Sequence, residues 1–340
     1  MARVVEQEQA IEPPATRSDP RSPMPALLRR FLLAPLPRLV WTGILAWVLV
    51  RLMFWVAPTV MRASNVTLTG SIRNAIMTVV VFAAGLWLFE RKRPRDAGLG
   101  LTGSVSQTSR GFLVGAALLT AVTGVIALTG SYQLLGWAPV PAGETRAALL
   151  GRAVVLFFAV AIFEEVSVRG IIFRQLEQAI GTWLAIIASA LFFGFGHRGN
   201  PGATWVSSVA IAIEAGALLA AAYVATRSLW FPIGLHWAWN LFEGPVWGAP
   251  VSGFDLGVLA NARFTGPRLL TGGAFGPEAG LPGMVLGAAL GLWFLVLAVR
   301  REQIVTPAWM RWIAGRLRRQ RPQPVDQSPA VAPVTPSPAA

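Results

Sequence analysis

The sequence predicts an all-α fold: a polytopic membrane helix bundle with about eight transmembrane helices. Hydrophobic residues make up 54% of the 340 residues and charged residues only 13%, which is about half the charged share of a typical soluble domain. Several apolar runs also reach the roughly 20 residues that a helix needs to cross a bilayer. A multi-pass protein of the cell membrane is therefore expected.

The predicted bundle occupies residues 37–300 and contains eight apolar segments. These segments are 39–60, 74–90, 111–130, 153–173, 180–198, 204–226, 229–247 and 283–299. Glycines and prolines interrupt residues 248–282, so this stretch is predicted to be an external loop that folds back onto the helices. Residues 1–36 and residues 301–340, which are basic and then proline-rich, are predicted to be disordered tails. No cleavable signal peptide is expected at the N-terminus.

Basic residues are distributed unequally between the two sides of the predicted bundle. Twenty of the 29 Lys and Arg residues fall on the side that holds the termini, seven fall on the other side and two lie within spans. This asymmetry predicts that both termini are cytoplasmic. The net charge of +13 is not gathered on one face, so the lipid bilayer is the expected partner and no nucleic acid is expected. The absence of cysteine excludes disulfides, thiolate ligands and cysteine nucleophiles.

Charged side chains inside a span require an explanation, because each costs at least ~2.5–3.5 kcal/mol at the bilayer centre. Glu164 and Glu165 lie near the middle of the fourth predicted span, and Arg169 follows one turn later. The i,i+4 spacing allows Glu165 to pair with Arg169. Glu164 points about 100° away and has no local partner, so it suits a general base. The alternative is that the group only holds helices together.

The two histidines of the chain both lie in apolar segments. His197 closes a Phe193-x-x-x-His197 motif, and His236 shares a helix face with Asn240 four residues later. Together with the glutamates they supply a base for water and donors for a tetrahedral oxyanion, as peptide hydrolysis requires. The alternative for each histidine alone is a hydrogen-bonded packing residue.

In this order, the three motifs resemble those of the CAAX-protease and bacteriocin-processing family of intramembrane endopeptidases. The resemblance covers roughly residues 150–300, a peptidase core that includes the external loop. It implies that Glu164 or Glu165 activates the attacking water with help from His197, and that Arg169 orients a glutamate. It also implies that His236 and Asn240 stabilise the oxyanion, and that the substrate is a membrane-associated peptide or protein.

The participation of a metal is left open by these residues. His197, His236 and Glu164 could hold a catalytic zinc with one open position, whereas Asn240 favours stabilisation of charge by hydrogen bonds. Helix lengths also place His236 ~10 Å and His197 ~25 Å from the cytoplasmic face. One shared site therefore requires a tilted or broken fifth helix, or span boundaries that differ from those predicted.

Two other functions remain as alternatives. A non-catalytic immunity or scaffold protein could retain an ancestral site, although the complete motif set disfavours this. A proton-coupled transporter could use Glu164, Glu165, Glu214 and the histidines as a relay, although no inverted repeat is evident. Glu214, in the sixth predicted span, belongs to none of the motifs, and it is interpreted as a hydrogen-bonded helix contact.

Overall fold

The computed structural model describes residues 34–56, 67–307 and Met310. Over these ranges the chain forms a helical bundle with four short strands. An all-α polytopic bundle is thereby confirmed. The predicted tails, 1–36 and 301–340, lie outside the described residues except where they overlap these ranges.

The helices of these ranges are labelled α1 to α11 in chain order. They are α1 Pro35–Val56, α2 Leu68–Gly85, α3 Ser104–Leu128, α4 Arg146–Glu165, α5 Arg174–Ile180, α6 Thr182–Gly196, α7 Trp205–Ile211, α8 Leu218–Thr226, α9 Trp230–Leu241, α10 Arg268–Thr271 and α11 Leu281–Arg300. Four π-helical segments extend or join them: Leu86–Glu90, Val166–Phe173, Ala212–Ala217 and Phe242–Val246. The strands are β1 Tyr132–Trp137, β2 Pro250–Val251, β3 Phe254–Asp255 and β4 Ala260–Phe264.

Among the described residues, five helical stretches are long and apolar enough to cross a membrane. They are Leu68–Glu90, Ser104–Leu128, Arg146–Ile180, Trp205–Thr226 and Leu281–Arg300. The predicted number of eight is not confirmed. The first predicted span appears among the described residues only as a shorter apolar helix, Pro35–Leu49, and two further predicted spans are short helices. α6 has 15 residues and α9 has 12, about 22 Å and 18 Å of helix, whereas the hydrocarbon core is about 30 Å thick.

The outer surface of the bundle is strongly apolar. On α6, Trp183, Ile187 and Leu191 lie one turn apart and are 51%, 57% and 46% exposed. Such a stripe would favour aggregation of a soluble protein. Facing lipid, it has the polarity that a membrane protein requires.

Glycines allow α3 and α9 to pack in direct backbone contact. A Cβ atom on Gly111 of α3 would overlap the carbonyl oxygen of Phe231, and one on Gly234 of α9 would overlap that of Thr108. Gly115, one turn after Gly111, meets the carbonyl of Leu235 in the same way. Small residues at such spacing let membrane helices approach closely. The contact fixes the position of α9, which carries the second histidine.

One end of the bundle is held by buried charges. Arg174 at the start of α5 makes two 2.6 Å hydrogen bonds to the carboxylate of Glu90, and Arg38 of α1 lies 3.4 Å from the same group. Glu177, in the next turn of α5, pairs with Arg227 at 2.6 Å. All three arginines belong to the basic set predicted to face the cytoplasm, and the fold brings them to the same end.

The opposite end is formed by the strands and the long connection between α9 and α11. β1 pairs antiparallel with β4, with Tyr132 opposite Phe264, and β2 pairs with β3. The connection folds back onto the helices, as predicted: Phe275 is only 2% exposed. β4 was not predicted, because its partner strand β1 lies about 130 residues earlier in the chain.

Candidate active site

A cavity of about 640 Å³ inside the bundle is lined by residues from all three motifs. Glu164, His197, His236 and Asn240 form part of its wall. Glu165 lies behind them and is fully buried, as is Arg169. The structure therefore brings the six predicted site residues together at one place.

Arg169 is held by two helical irregularities. It lies in the π-helical segment that follows α4, and its Nη1 donates to Glu165 Oε1 at 2.9 Å. Its Nη2 donates to the carbonyl oxygens of Ala215 and Gly216, at 3.1 and 2.9 Å, in the π-helical segment between α7 and α8. A π-turn disturbs the regular backbone ladder, so carbonyls are available there for the guanidinium. The predicted pairing of Glu165 with Arg169 is confirmed.

Glu165 also fixes the ring of His236. Nδ1 of His236 lies 2.9 Å from Glu165 Oε1, the same oxygen that accepts from Arg169. Because an ionised carboxylate only accepts hydrogen bonds, Nδ1 carries the proton. Nε2 then faces the other way, 3.8 Å from Glu164 Oε2. Glu165 is thus a positioning group that orients the ring of His236 and keeps a proton on Nδ1.

His197 reaches Glu164 from the other side. Its Nδ1 donates to the carbonyl oxygen of Phe193 at 2.8 Å, which leaves Nε2 directed at Glu164 Oε2 at 3.9 Å. In a neutral ring this Nε2 atom is an acceptor. Both imidazoles therefore present Nε2 to one carboxylate oxygen.

Glu164 and His197 lie on the two arms of one helical hairpin. The fourth predicted span ends at 173, but α4, its π-helical extension and α5 continue to Ile180, and the chain reverses at Gly181. Glu164 lies seventeen residues before that glycine and His197 lies sixteen after it. An antiparallel hairpin therefore sets the two side chains level with each other. His236 meets them from α9. The helices that lead to the two histidines begin at Thr182 and Trp230, within two residues of the predicted starts at 180 and 229, so displaced boundaries do not explain the meeting.

Residues 146–242 match a family model described as Type II CAAX prenyl endopeptidase Rce1-like. The matched segment runs from the start of α4 to just beyond α9 and contains all three motifs. This part of the chain is similar to the CAAX-protease family. No curated protein and no solved structure matches the chain. Members of this family are peptidases, which implies a peptide or protein substrate and a membrane environment.

The donor atoms of this candidate site lie farther apart than the ligand atoms of a bound zinc ion. Ligand atoms around a tetrahedral zinc lie about 3.3 Å apart, given bonds of roughly 2.0–2.1 Å, whereas both Nε2 atoms are 3.8–3.9 Å from Glu164 Oε2. In the described parts of the chain, no three His, Cys, Asp or Glu residues are arranged to hold a metal ion. The participation of zinc stays a prediction.

A second group of buried acids, which the motifs did not identify, adjoins the site. Glu214, Glu243 and Glu278 are at most 4% exposed. Glu214 and Glu278 line the same cavity. Glu278 lies in the connection outside the spans, and burial raises the pKa of its carboxyl group. Hydrogen bonds from Ser252 and the electrostatic interaction with nearby His197 act in the opposite direction. Because Glu278 is a single acid in a glycine-rich loop, the sequence does not indicate that it is buried beside the site.

The interpretation of Glu214 as a hydrogen-bonded helix contact is wrong. Neither of its carboxylate oxygens has a hydrogen-bond partner among the described residues. Ser and Thr hydroxyls or backbone amides commonly satisfy such a group, but the helix backbone around Glu214 is already bonded within the bundle. The described residues thus leave this buried carboxylate without a donor.

Proposed function

We propose that the chain is an intramembrane endopeptidase that hydrolyses a peptide bond of a membrane-associated peptide or protein. The observation that carries this proposal is the position of Glu164 Oε2. This buried oxygen accepts no hydrogen bond from the described residues, and two imidazole Nε2 atoms lie 3.8 and 3.9 Å from it. Gaps of that size suit a bridging water, and water is the nucleophile of peptide hydrolysis.

In this proposal Glu164 is the general base. A water between Glu164 and His197 donates one hydrogen to each of them, which turns its lone pair toward the substrate carbonyl. Glu164 takes the proton as the oxygen attacks the carbonyl carbon, and then returns it to the departing amine. The fixed tautomer of His197 supports this role, because its hydrogen bond to Phe193 leaves Nε2 as the acceptor.

His236 and Asn240 are proposed to stabilise the oxyanion of the tetrahedral intermediate. Glu165, 2.9 Å from Nδ1 of His236, stabilises positive charge on the ring, and the charged ring carries a proton on Nε2 that it donates to the oxyanion. The amide of Asn240 lines the cavity one turn along the same helix face and is a second donor. Arg169 holds Glu165 in place and does not contact the substrate.

The cavity walls support an apolar polypeptide segment as substrate. Between the polar groups the lining is made of large apolar side chains, among them Leu156, Phe163, Phe192, Leu218 and Trp239. Sites of about 300–1,000 Å³ with apolar walls and a few polar groups are typical of ligand-binding pockets. A cavity of this character accepts a stretch of chain that partitions into the membrane.

The test compares peptides released in membranes of cells that produce the wild-type protein or the Glu164→Gln variant. The wild type is expected to release peptides that are absent with the variant, at equal amounts of folded protein. Glu144→Gln is the matched control, because Glu144 pairs with Arg152 at the surface. Identical peptide sets in wild type and Glu164→Gln would contradict the proposed function.

Zinc at His197, His236 and Glu164 stays a prediction with a separate test. When bound, a zinc ion would lower the pKa of a coordinated water to about 7. The side chains would first have to move closer together, because their present separation exceeds that of zinc ligands. Elemental analysis of purified wild-type protein beside a His197→Ala, His236→Ala double variant distinguishes the cases. About one zinc in the former and none in the latter is expected if the metal binds there; equal contents would exclude this site.

The location of both termini in the cytoplasm also stays a prediction. The test uses two variants, each with one cysteine at an exposed position. The cysteine replaces Thr102 on the predicted inner side or Asp255 on the predicted outer side. An impermeant thiol reagent is expected to label only the cysteine at 255 in intact cells. Labelling of only the cysteine at 102 would show the opposite topology and contradict the prediction.

A further inference from the structure

The acids that line the cavity have very different surroundings. Glu164 faces two histidines and Glu278 lies near His197, but among the described residues no side chain donates a hydrogen bond to Glu214 or to Oε1 of Glu278. Within the part of the chain that the structure describes, neither lysine nor arginine lines the cavity. The wall therefore carries three carboxyl groups and only two imidazoles as basic groups.

Glu214 is enclosed on the side away from the cavity. It lies in the π-helical segment between α7 and α8, and α11 packs directly against its backbone. A Cβ atom on Gly287 of α11 would lie 2.9 Å from both Cα and Cβ of Glu214, so that glycine permits the contact. No described residue donates to either carboxylate oxygen. The cavity is the remaining direction from which a donor can reach this group.

Glu278 enters the cavity from the connection between α9 and α11. Its backbone N–H donates to Glu243 Oε1 at 3.3 Å, and Trp239 Nε1 donates to the other oxygen of Glu243 at 3.1 Å. Glu243 is fully buried and thus fastens the connection to the end of α9. The Oε1 atom of Glu278 has no hydrogen-bond partner among the described residues. Glu243 is the positioning residue, and Glu278 presents the free oxygen.

We propose that Glu214 and Glu278 bind the side chain of a lysine or arginine in the substrate, close to the bond that is cleaved. A buried carboxylate is costly unless a cation is paired with it, and an ammonium or guanidinium group supplies the missing donors. This inference rests on the proposed function, because the cation belongs to the peptide substrate. A compact cavity of this volume is roughly three extended residues long, so the basic residue lies within about that distance of the scissile bond.

An inorganic cation suits these acids less well. No group of three or more His, Cys, Asp or Glu residues in the described ranges is arranged to hold a metal ion. Apolar walls surround the acids, and the long aliphatic stem of a lysine or arginine packs favourably against such walls while its charged end reaches the carboxylates. The mixed lining therefore favours a basic side chain.

The test uses purified full-length protein in lipid vesicles and two pooled libraries of acetylated hexapeptide amides. Every peptide carries one photo-crosslinking leucine analogue. The libraries differ at one position only, which is lysine in the first and norleucine in the second. Crosslinks to cavity residues are located by mass spectrometry, for the wild type and for Glu164→Gln, Glu214→Gln, Glu278→Gln and the surface control Glu144→Gln.

Lysine peptides are expected to crosslink about tenfold more than norleucine peptides in the wild type, in Glu164→Gln and in Glu144→Gln. The reason is that a hydrogen-bonded charge pair strengthens binding by at least about tenfold. The preference should be largely lost in Glu214→Gln and in Glu278→Gln. Equal crosslinking of both libraries to the wild type would overturn the proposal. An unchanged preference in either folded variant would do the same, so one variant suffices if the other does not fold.

Crosslinking does not require cleavage, so its outcome is independent of the peptide comparison that tests the peptidase. If peptide products depend on Glu164 but the crosslinking shows no preference for lysine peptides, the peptidase is supported and the proposed subsite is contradicted. A lysine preference without such products would support the subsite as a binding site and contradict the peptidase.

Discussion

Glu165, which precedes a π-helical segment, and Glu214, which lies within another, are both buried glutamates, yet their hydrogen-bond partners differ. Glu165 is 0% exposed and its Oε1 atom accepts from Arg169 and from His236. Glu214 is 1% exposed and accepts from no described residue. The first carboxylate has two donors in the protein, both at Oε1, whereas the second has none among the described residues. A charge of the first kind fixes other side chains, whereas one of the second kind is available to a ligand.

The same contrast separates the two neighbouring residues of the first motif. Glu165 faces away from the cavity and holds the ring of His236, while Glu164 faces into the cavity with an oxygen that accepts no hydrogen bond from the described residues. Adjacent residues on a helix point about 100° apart, so one residue pair supplies both a positioning carboxylate and a free one. Variants that remove the donors of Glu165 should therefore affect stability, and variants of the free acids should affect function.

Arg169→Ala is expected to have the largest effect on stability. It leaves Glu165 as a buried charge with fewer donors, and breaking such a pair costs ~3–5 kcal/mol. The free energy of unfolding in mixed micelles, measured by SDS titration, checks this expectation. Arg152→Ala is the matched control, since that arginine forms a surface pair with Glu144 and such pairs contribute only about 0–1 kcal/mol. Equal losses in the two variants would show that the buried pair has no special role.

His236→Ala is expected to reduce activity more than stability. The removal of one oxyanion donor lowers kcat by about 10²–10³-fold, while Glu165 keeps its bond to Arg169 and the fold is retained. The measurement is kcat and KM on a peptide identified in the membrane comparison, with the melting temperature recorded in parallel. A variant that melts far below the wild type yet keeps its kcat would reverse the assignment of His236.

Glu243→Ala should give a smaller loss of stability. The substitution leaves Trp239 Nε1 and the backbone N–H of Glu278 without their acceptor, and buried unsatisfied donors cost about 1–3 kcal/mol. Glu243→Gln is the control, because its amide oxygen can still accept one of these bonds. Melting temperatures of the two variants, measured in the same detergent, give the comparison. If alanine and glutamine are equally tolerated, Glu243 does not fasten the connection.

Much of the site was predictable because its chemistry is encoded in local spacing. The i,i+4 relation of Glu165 with Arg169 and of His236 with Asn240 holds in any helix, so the pairing could be read from the sequence. The π-helical segments could not, since a reading with 3.6 residues per turn assumes a regular helix. The carbonyls that hold Arg169 belong to such a segment, and Glu214 lies in the same one.

The fold was predictable as a class but not in its count of spans. Hydropathy measures composition, and the apolar residues around α6 and α9 continue past the helix ends, so two short helices resembled full spans. Pairing of β1 with β4 joins residues far apart in the chain, which no local pattern reports. Glu278 reaches the cavity only through this folded connection, and the sequence alone therefore offered no reason to group it with Glu214.

The most direct test of Glu164 as the water-activating base compares Glu164→Gln with Glu165→Gln in one purified preparation. For Glu164→Gln we expect cleavage to fall by about 10²–10⁴-fold, the usual contribution of a general base, with an unchanged melting temperature. Glu165→Gln should lower the melting temperature as well as the activity, because it weakens the ion pair with Arg169. If Glu164→Gln cleaves at the wild-type rate while folded, the water is activated by another group and the central assignment is contradicted.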